Sequence, residues 1–260
     1  MSKEPVTACA LIIGNEILSG RTQDVNLAFL GRRLNEVGIR LMEARIIPDV
    51  EAVIVAAVNE VRRRFDYVFT TGGIGPTHDD ITAASIAKAF GVSLVLNPEA
   101  HARLQAHYGP GELNEARLRM AHAPEGAVLI DNPISIAPGF QMENVFVMAG
   151  IPTIMQAMFE GIVHRLAGGV PLRARSFTLD MPEGAIAREL GQLQEKYSDV
   201  EIGSYPFSRQ GRFGTRLVLR TTDEERLAAA ARDLDGIVAR LGGSGTWDPD
   251  PACPPAGQSA

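Results

Sequence analysis

Thr71-Gly72-Gly73-Ile74-Gly75-Pro76-Thr77-His78-Asp79-Asp80 sets three glycines and two adjacent carboxylates between an apolar run and a helical pattern. The run Tyr67-Val68-Phe69 reads as a buried strand. Ile81, Ala84, Ser85, Ala87, Lys88, Ala89 and Phe90 follow at helical spacing and stop at Gly91. Open α/β sheets bind ligands at the turn between a strand's C-terminal end and the next helix, where free N–H groups attract anions. Glycine lets the backbone approach a ligand with no β-carbon in the way. Carboxylates repel a phosphate at such a turn, and a divalent cation of the Mg²⁺ type resolves the conflict. The same residues also fit a plainer reading. Thr77 as N-cap with Asp80 three residues on makes a capping box, and acids in a first helical turn suit the helix dipole. The glycine spacing is not Gly-x-Gly-x-x-Gly and no Gly-Lys-Ser/Thr follows, so neither familiar nucleotide loop is present.

The elements that must position these groups are read from the apolar pattern. Val6 to Ile13 is continuous and apolar, as expected of a buried parallel strand. It runs into the polar loop from Gly14-Asn15-Glu16 to Asp24-Val25-Asn26, on the same sheet edge as the glycine turn if the strands are parallel. Asn15, Glu16, Asp24 and Asn26 are ligand candidates, with Asp24 also suited to cap a helix bearing Leu27, Leu30, Leu34 and Val37. Ile39 to Ile47 reads as a second strand ending at Pro48-Asp49. Asp49 lies on the ligand edge but is also placed to cap a helix starting near Glu51. Arg62-Arg63-Arg64 closes that helix, as a solvated end rather than a nucleic-acid patch. Pro98 to Met120 reads as two helices broken at Gly109-Pro110-Gly111, and its histidines, with His122, lack metal spacing. Ala127 to Ile130 and Val145 to Met148 are short strands, with a turn-rich loop from Asp131 to Phe140 between them. A helix covers about Thr153 to Leu166. Strands alternating with helices predict a doubly wound, mostly parallel sheet.

Gly168-Gly169-Val170-Pro171 marks a boundary. The sequence divides into an α/β domain over 1–168, a small α+β domain over 170–242 and a disordered tail over 243–260. The small domain reads β-α-β-β-α, with strands at Val200–Tyr205 and Arg216–Arg220 and a loop from Ser208 to Gly214. A net charge of −6 argues against nucleic-acid binding, and no apolar run approaches the roughly 20 residues of a membrane span. Cys9 and Cys253 stand too far apart in character to suggest a disulfide or zinc site. A cytoplasmic location is the expectation.

The ordered set Gly14-Asn15-Glu16-Ile17-Leu18-Ser19-Gly20, Asp24-Val25-Asn26, Pro48-Asp49, Thr71 to Thr82, Asn132-Pro133-Ile134, Ala137-Pro138-Gly139-Phe140, Gly150-Ile151-Pro152 and Met158-Phe159-Glu160 resembles a known family. It is similar to the N-terminal, molybdopterin-binding module of the competence/damage-inducible protein A family, over roughly residues 7 to 240. Ile202-Gly203-Ser204-Tyr205-Pro206 resembles that family's second-domain signature. The further amidohydrolase domain often found in the family is not expected in a chain of this length.

The resemblance implies a MoaB/Mog-like α/β fold with a second, small α+β domain, binding a small-molecule nucleotide or pterin ligand. It implies Asp49 and Asp80 as the catalytic pair and Asp49, Asp79 and Asp80 as ligands of a divalent metal. Gly14, Asn15, Glu16, Thr71, Gly72, Gly73, Gly75, Thr77, Pro138, Gly139 and Gly150 are its ligand-binding positions. Activity expected from the competence-protein branch is hydrolysis of ADP-ribose at its pyrophosphate, and from the molybdenum-cofactor branch adenylyl transfer to molybdopterin. A homo-oligomer, dimer or trimer, is expected, with no nucleic-acid or membrane partner. Two positions depart from the family pattern: Ser135-Ile136 stands where Gly-Thr is usual, and Ala149 stands where a proline is usual. A non-catalytic binding module is therefore a third expectation.

Overall fold

A computed structural model of the chain describes residues 5–109, 111–209 and 212–249. Two compact units divide at Val170 and Pro171. The first contains β1 (Val6–Ile13), α1 (Asn15–Leu18), α2 (Asn26–Glu36), β2 (Ile39–Ile47), α3 (Glu51–Val61), β3 (Tyr67–Thr71), α4 (Thr82–Phe90), β4 (Leu94–Leu96), α5 (Pro98–His107), α6 (Glu115–Leu118), β5 (His122–Pro124), β6 (Val128–Ile130), β7 (Gly139–Met142), β8 (Val145–Met148) and α7 (Pro152–Ile162). The second contains β9 (Arg173–Leu179), α8 (Ala187–Lys196), β10 (Glu201–Arg209), β11 (Arg212–Thr221), α9 (Glu224–Arg240) and β12 (Gly245–Trp247).

The main sheet runs β2-β1-β3-β8-β7-β6. Its first four strands are parallel, and β7 and β6 are antiparallel to their neighbours. β1 reads as an unbroken apolar run because both its faces are covered. Leu11 and Ile13 pack with Ile54 and Val58 of α3, while Ala8 and Ala10 pack with Leu30 and Leu34 of α2 and Met155 and Met158 of α7. On the α2 and α7 side, Phe69 stacks on Phe146 with ring centres 5.3 Å apart and lies 5.6 Å from Phe159. The fold is therefore the expected doubly wound, parallel-dominant sheet with a separate small domain. Its parallel strands end together, so the loops after β1, β2, β3 and β8 share one edge.

The structure corrects three readings, and it places the segment after α4 outside the main sheet. β4 pairs with β5 as a separate antiparallel ribbon whose Leu94, Val95 and Leu96 stay exposed. The loop expected from Asp131 to Phe140 ends in a strand, β7, whose Gly139 is tucked against the Val147 carbonyl and the Met158 methyl, leaving no room for a β-carbon. In the second unit the hairpin strands β10 and β11 extend through most of the expected loop, leaving 210 and 211 outside the described residues. Pro206 is tolerated there because β10 is the edge of the order β10-β11-β9-β12. The tail expected from 243 instead supplies β12. Trp247 meets Phe177 edge-on at 4.9 Å and its indole N–H donates to Asp235. A Gly- and Ser-rich composition concealed this one aromatic anchor; 250–260 lie outside the described residues.

Arg64 is not a bare helix end: it pairs with Glu60 and Glu43, while Arg45 holds Glu60 through two bonds of 2.6 and 2.7 Å. The Arg45 guanidinium is the main cause that brings the Glu60 carboxyl down to about 2. Because this carboxyl titrates lower folded than unfolded, its stabilisation is complete above the ordinary glutamate range and is lost as pH falls toward 2. Glu60→Gln is expected to flatten that dependence. Urea-unfolding midpoints measured between pH 5 and pH 2 should fall less steeply in the variant than in the natural chain.

Candidate functional site

The loops after β1, β2, β3 and β8 enclose a cleft of about 520 Å³. Gly14, Glu16, Asp49, Gly72, Gly73, Gly75, Asp79, Asp80 and Gly150 all line it, so sequence positions more than 100 residues apart converge. Asn15, Thr71, Thr77, Pro138 and Gly139 do not line this cleft. Asn15 contributes its backbone: its N–H donates to Asp49 Oδ2 at 2.9 Å. Thr71 is buried at the end of β3, with no partner for its hydroxyl oxygen among the described residues. Thr77 is exposed and serves Asp80, Pro138 lines a neighbouring cavity, and Gly139 is inside β7.

Asp49 is not a helix cap. The first residue before α3 is Val50, no side chain caps the helix, and Asp49 turns instead toward the loop after β1. Nor do Thr77 and Asp80 form a capping box. α4 begins only at Thr82, with no acid in its first turn. Thr82 accounts for the difference: its amide donates to the Gly73 carbonyl and its hydroxyl to the Gly72 carbonyl, each at 3.0 Å. Residues 74–80 are thereby thrown out as a loop. Asp80 Oδ2 closes it by accepting from the Thr77 amide at 2.8 Å and the Thr77 hydroxyl at 2.5 Å. Asp24 does act at a helix start, accepting from the Leu27 amide, and Asn26 donates to the Gly150 carbonyl at 2.8 Å.

The three glycines do not share one role. Gly72 donates its amide to the Met148 carbonyl at 3.1 Å, so that N–H is spent within the sheet and is withdrawn as an anion ligand. The amides of Gly73 and Gly75 have no partner among the described residues and remain donors for a ligand. Gly73 adopts φ +68°, and a β-carbon there would overlap the Thr82 hydroxyl.

Asn132 is a cleft residue that the site expectations missed. It is 5% exposed and pins the loop before β7: Nδ2 donates to Ser135 Oγ and the Ala137 carbonyl, and Oδ1 accepts from the amides of Ile134 and Ser135. Its place before Pro133, in the turn motif already noted, was the available signal. Ser135 and Ala149, the two departures from the family pattern, both line the cleft.

Among the described residues, no three His, Cys, Asp or Glu side chains come close enough to chelate a metal by themselves. The donor set is nevertheless that of a hard cation. Asp49, Asp79 and Asp80 supply only oxygens, and Mg²⁺ is commonly held by one or two carboxylates together with substrate phosphates.

Residues 9–168 match the model of the "Probable molybdopterin binding domain" family, and residues 171–240 match that of the FAD synthase middle domain. A protein of Archaeoglobus fulgidus is 36% identical over 194 residues, 75% of this chain and 83% of its own length. One from Aeropyrum pernix is 33% identical over 261 residues, 93% of this chain and 97% of its own. The crystal structure of the protein CinA, of unknown function, from Thermoplasma acidophilum superposes with a TM-score of 0.59 at 32% identity, covering 63% of this chain and 99% of that one.

Ile136 occupies the left-handed region at φ +66°, which a β-branched residue adopts only under strain. Ile136→Gly is expected to be more stable than Ile136→Ala by about 1 kcal/mol, because only glycine relieves that conformation. Equilibrium denaturant unfolding of the two variants checks this.

Proposed function

Since the chain belongs to the molybdopterin-binding domain family, we propose that the cleft binds a phosphorylated nucleotide or pterin, and that the protein is a metal-dependent pyrophosphatase acting on ADP-ribose or a similar dinucleotide. The observation that carries this reading is the meeting of opposite potentials in one cleft. The unspent amides of Gly73 and Gly75 are positive, and Asp49, Asp79 and Asp80 around them are negative.

In this reading the two amides hold phosphate oxygens, and Asp49 and Asp80 hold the cation through the oxygens that Asn15 and Thr77 leave free. When bound, a Mg²⁺-type ion supplies neutralisation of the phosphate charge. Water adds to one phosphorus, the bridging P–O bond breaks, and the leaving phosphate keeps the electron pair. The water's proton passes to a cleft carboxylate and then to solvent. Glu16, at the cleft wall beside Gly14, orients the ribose or the outer phosphate.

A second reading, pterin handling or adenylyl transfer to molybdopterin, is favoured by the family match over residues 9–168. Mass spectrometry of ligand carried through purification separates the two: a pterin supports the second, AMP or ADP-ribose the first. A binding module without turnover is the reading that Ser135 and Ala149 favour, since both alter the cleft wall.

The test is AMP release from ADP-ribose with Mg²⁺ or Mn²⁺. Asp80→Asn keeps an acceptor for the Thr77 amide, so the loop should hold while turnover falls by about 10²-fold or more. Absence of turnover with either ion, in folded protein that binds the nucleotide, would rule out the hydrolase.

A further inference from the structure

A second cavity of about 260 Å³ opens beside the cleft. Gly73, Ile74, Gly75, Asp80 and Met120 line both, so the two are compartments on either side of the glycine turn. Their chemistry differs. The cleft is acidic, whereas the second compartment has apolar walls, including Ile81, Leu94 and Phe140, and only a few polar groups. Few polar groups in an apolar pocket is the pattern that takes a flat ring and fixes its orientation.

Two of those polar groups are Arg119 and His122. Arg119 donates to the Thr77 carbonyl at 3.2 Å, which sets a guanidinium beside the Asp80 loop, and no carboxylate pairs with it among the described residues. His122 Nδ1 lies 3.2 Å from the Leu118 carbonyl. A carbonyl can only accept, so Nδ1 is the protonated nitrogen in this contact, and in the tautomer with that single proton Nε2 is an acceptor. The compartment thus offers the His122 acceptor among apolar walls, with the Arg119 cation and the Asp80 carboxylate at its seam with the cleft.

We propose that this second compartment is the ring subsite of the ligand, and that it takes an amino-substituted heteroaromatic ring whose amino group donates to His122 Nε2. Arg119 meets an anionic oxygen where the ligand crosses from one compartment to the other. This rests on the reading of the cleft as a phosphate site, and it adds the part of the ligand that the cleft does not select. Adenine and pterin share the required amino group, so the chemistry is common to both.

The experiment is calorimetric titration of the full chain with Mg²⁺ and matched pairs of ligands: AMP against IMP, and pterin against lumazine, each pair exchanging amino for oxo. Inorganic pyrophosphate is titrated separately as a probe of the cleft alone. The amino form is expected to bind about 3- to 10-fold more tightly in one pair, the size of one neutral hydrogen bond. The pair that responds identifies the ring. His122→Phe should abolish the preference and His122→Gln, which retains an acceptor, should keep it, each variant still unfolding in a cooperative thermal transition although the bond to the Leu118 carbonyl is lost.

If pyrophosphate binds while neither pair discriminates, the ring subsite is overturned and the reading of the cleft stands. A preference that persists in His122→Phe overturns the assignment of His122. If pyrophosphate fails to bind as well, both fall together. The natural chain alone decides the first question should a variant not fold.

Discussion

Gly72 sits where a β-carbon would overlap the carbonyl oxygen of Ile13, and its own amide reaches the Met148 carbonyl. Three strand ends, those of β1, β3 and β8, can close on one another only because this residue has no side chain and adopts φ +102°. Gly150 repeats the demand from the other side: a β-carbon there would stand 3.3 Å from the Gly72 Cα. The cleft is the space just beyond this contact. Its width, and the placement of the loops around it, follow from how tightly the strands converge.

From that contact the charge distribution follows. Thr82 ties Gly72 and Gly73 down through their carbonyls, so the following residues leave as a loop with the Gly73 and Gly75 amides unspent. The loop is closed by Asp80 on Thr77, and Asp49 is held across from it by the Asn15 amide. Each acid therefore has a fixed position set by a backbone donor, with capacity left for a cation. Neither acid depends on a helix dipole, since α4 starts after Asp80 and α3 is not capped by Asp49.

Much of this was legible in the sequence because buried parallel strands and amphipathic helices leave strong periodic patterns. β1, β2, β3 and β8, with α2, α3, α4 and α7, all lie where the apolar spacing put them, and so the shared edge of Gly14, Asp49, Gly73 and Gly150 could be anticipated. What stayed hidden depends on contacts that spacing does not encode. The helix start moved to Thr82 because of two hydrogen bonds to glycine carbonyls, which no capping motif announces. Gly72 looked like a ligand amide and proved to be a strand partner. Asn132 looked like an ordinary turn residue and holds four bonds of one loop. β7 begins at Gly139, just after Pro138 in a stretch that reads as a turn, and becomes a strand through pairing with β6 and β8.

The account stands on the polyanion lying between the glycine amides and the acids. The most direct measurement is a crystal structure of the protein with Mg²⁺ and pyrophosphate. The expected result is phosphate oxygens on the Gly73 and Gly75 amides with the cation between them and the carboxylates of Asp49 and Asp80. Pyrophosphate bound away from that turn, or bound there with both aspartates turned aside, would contradict it.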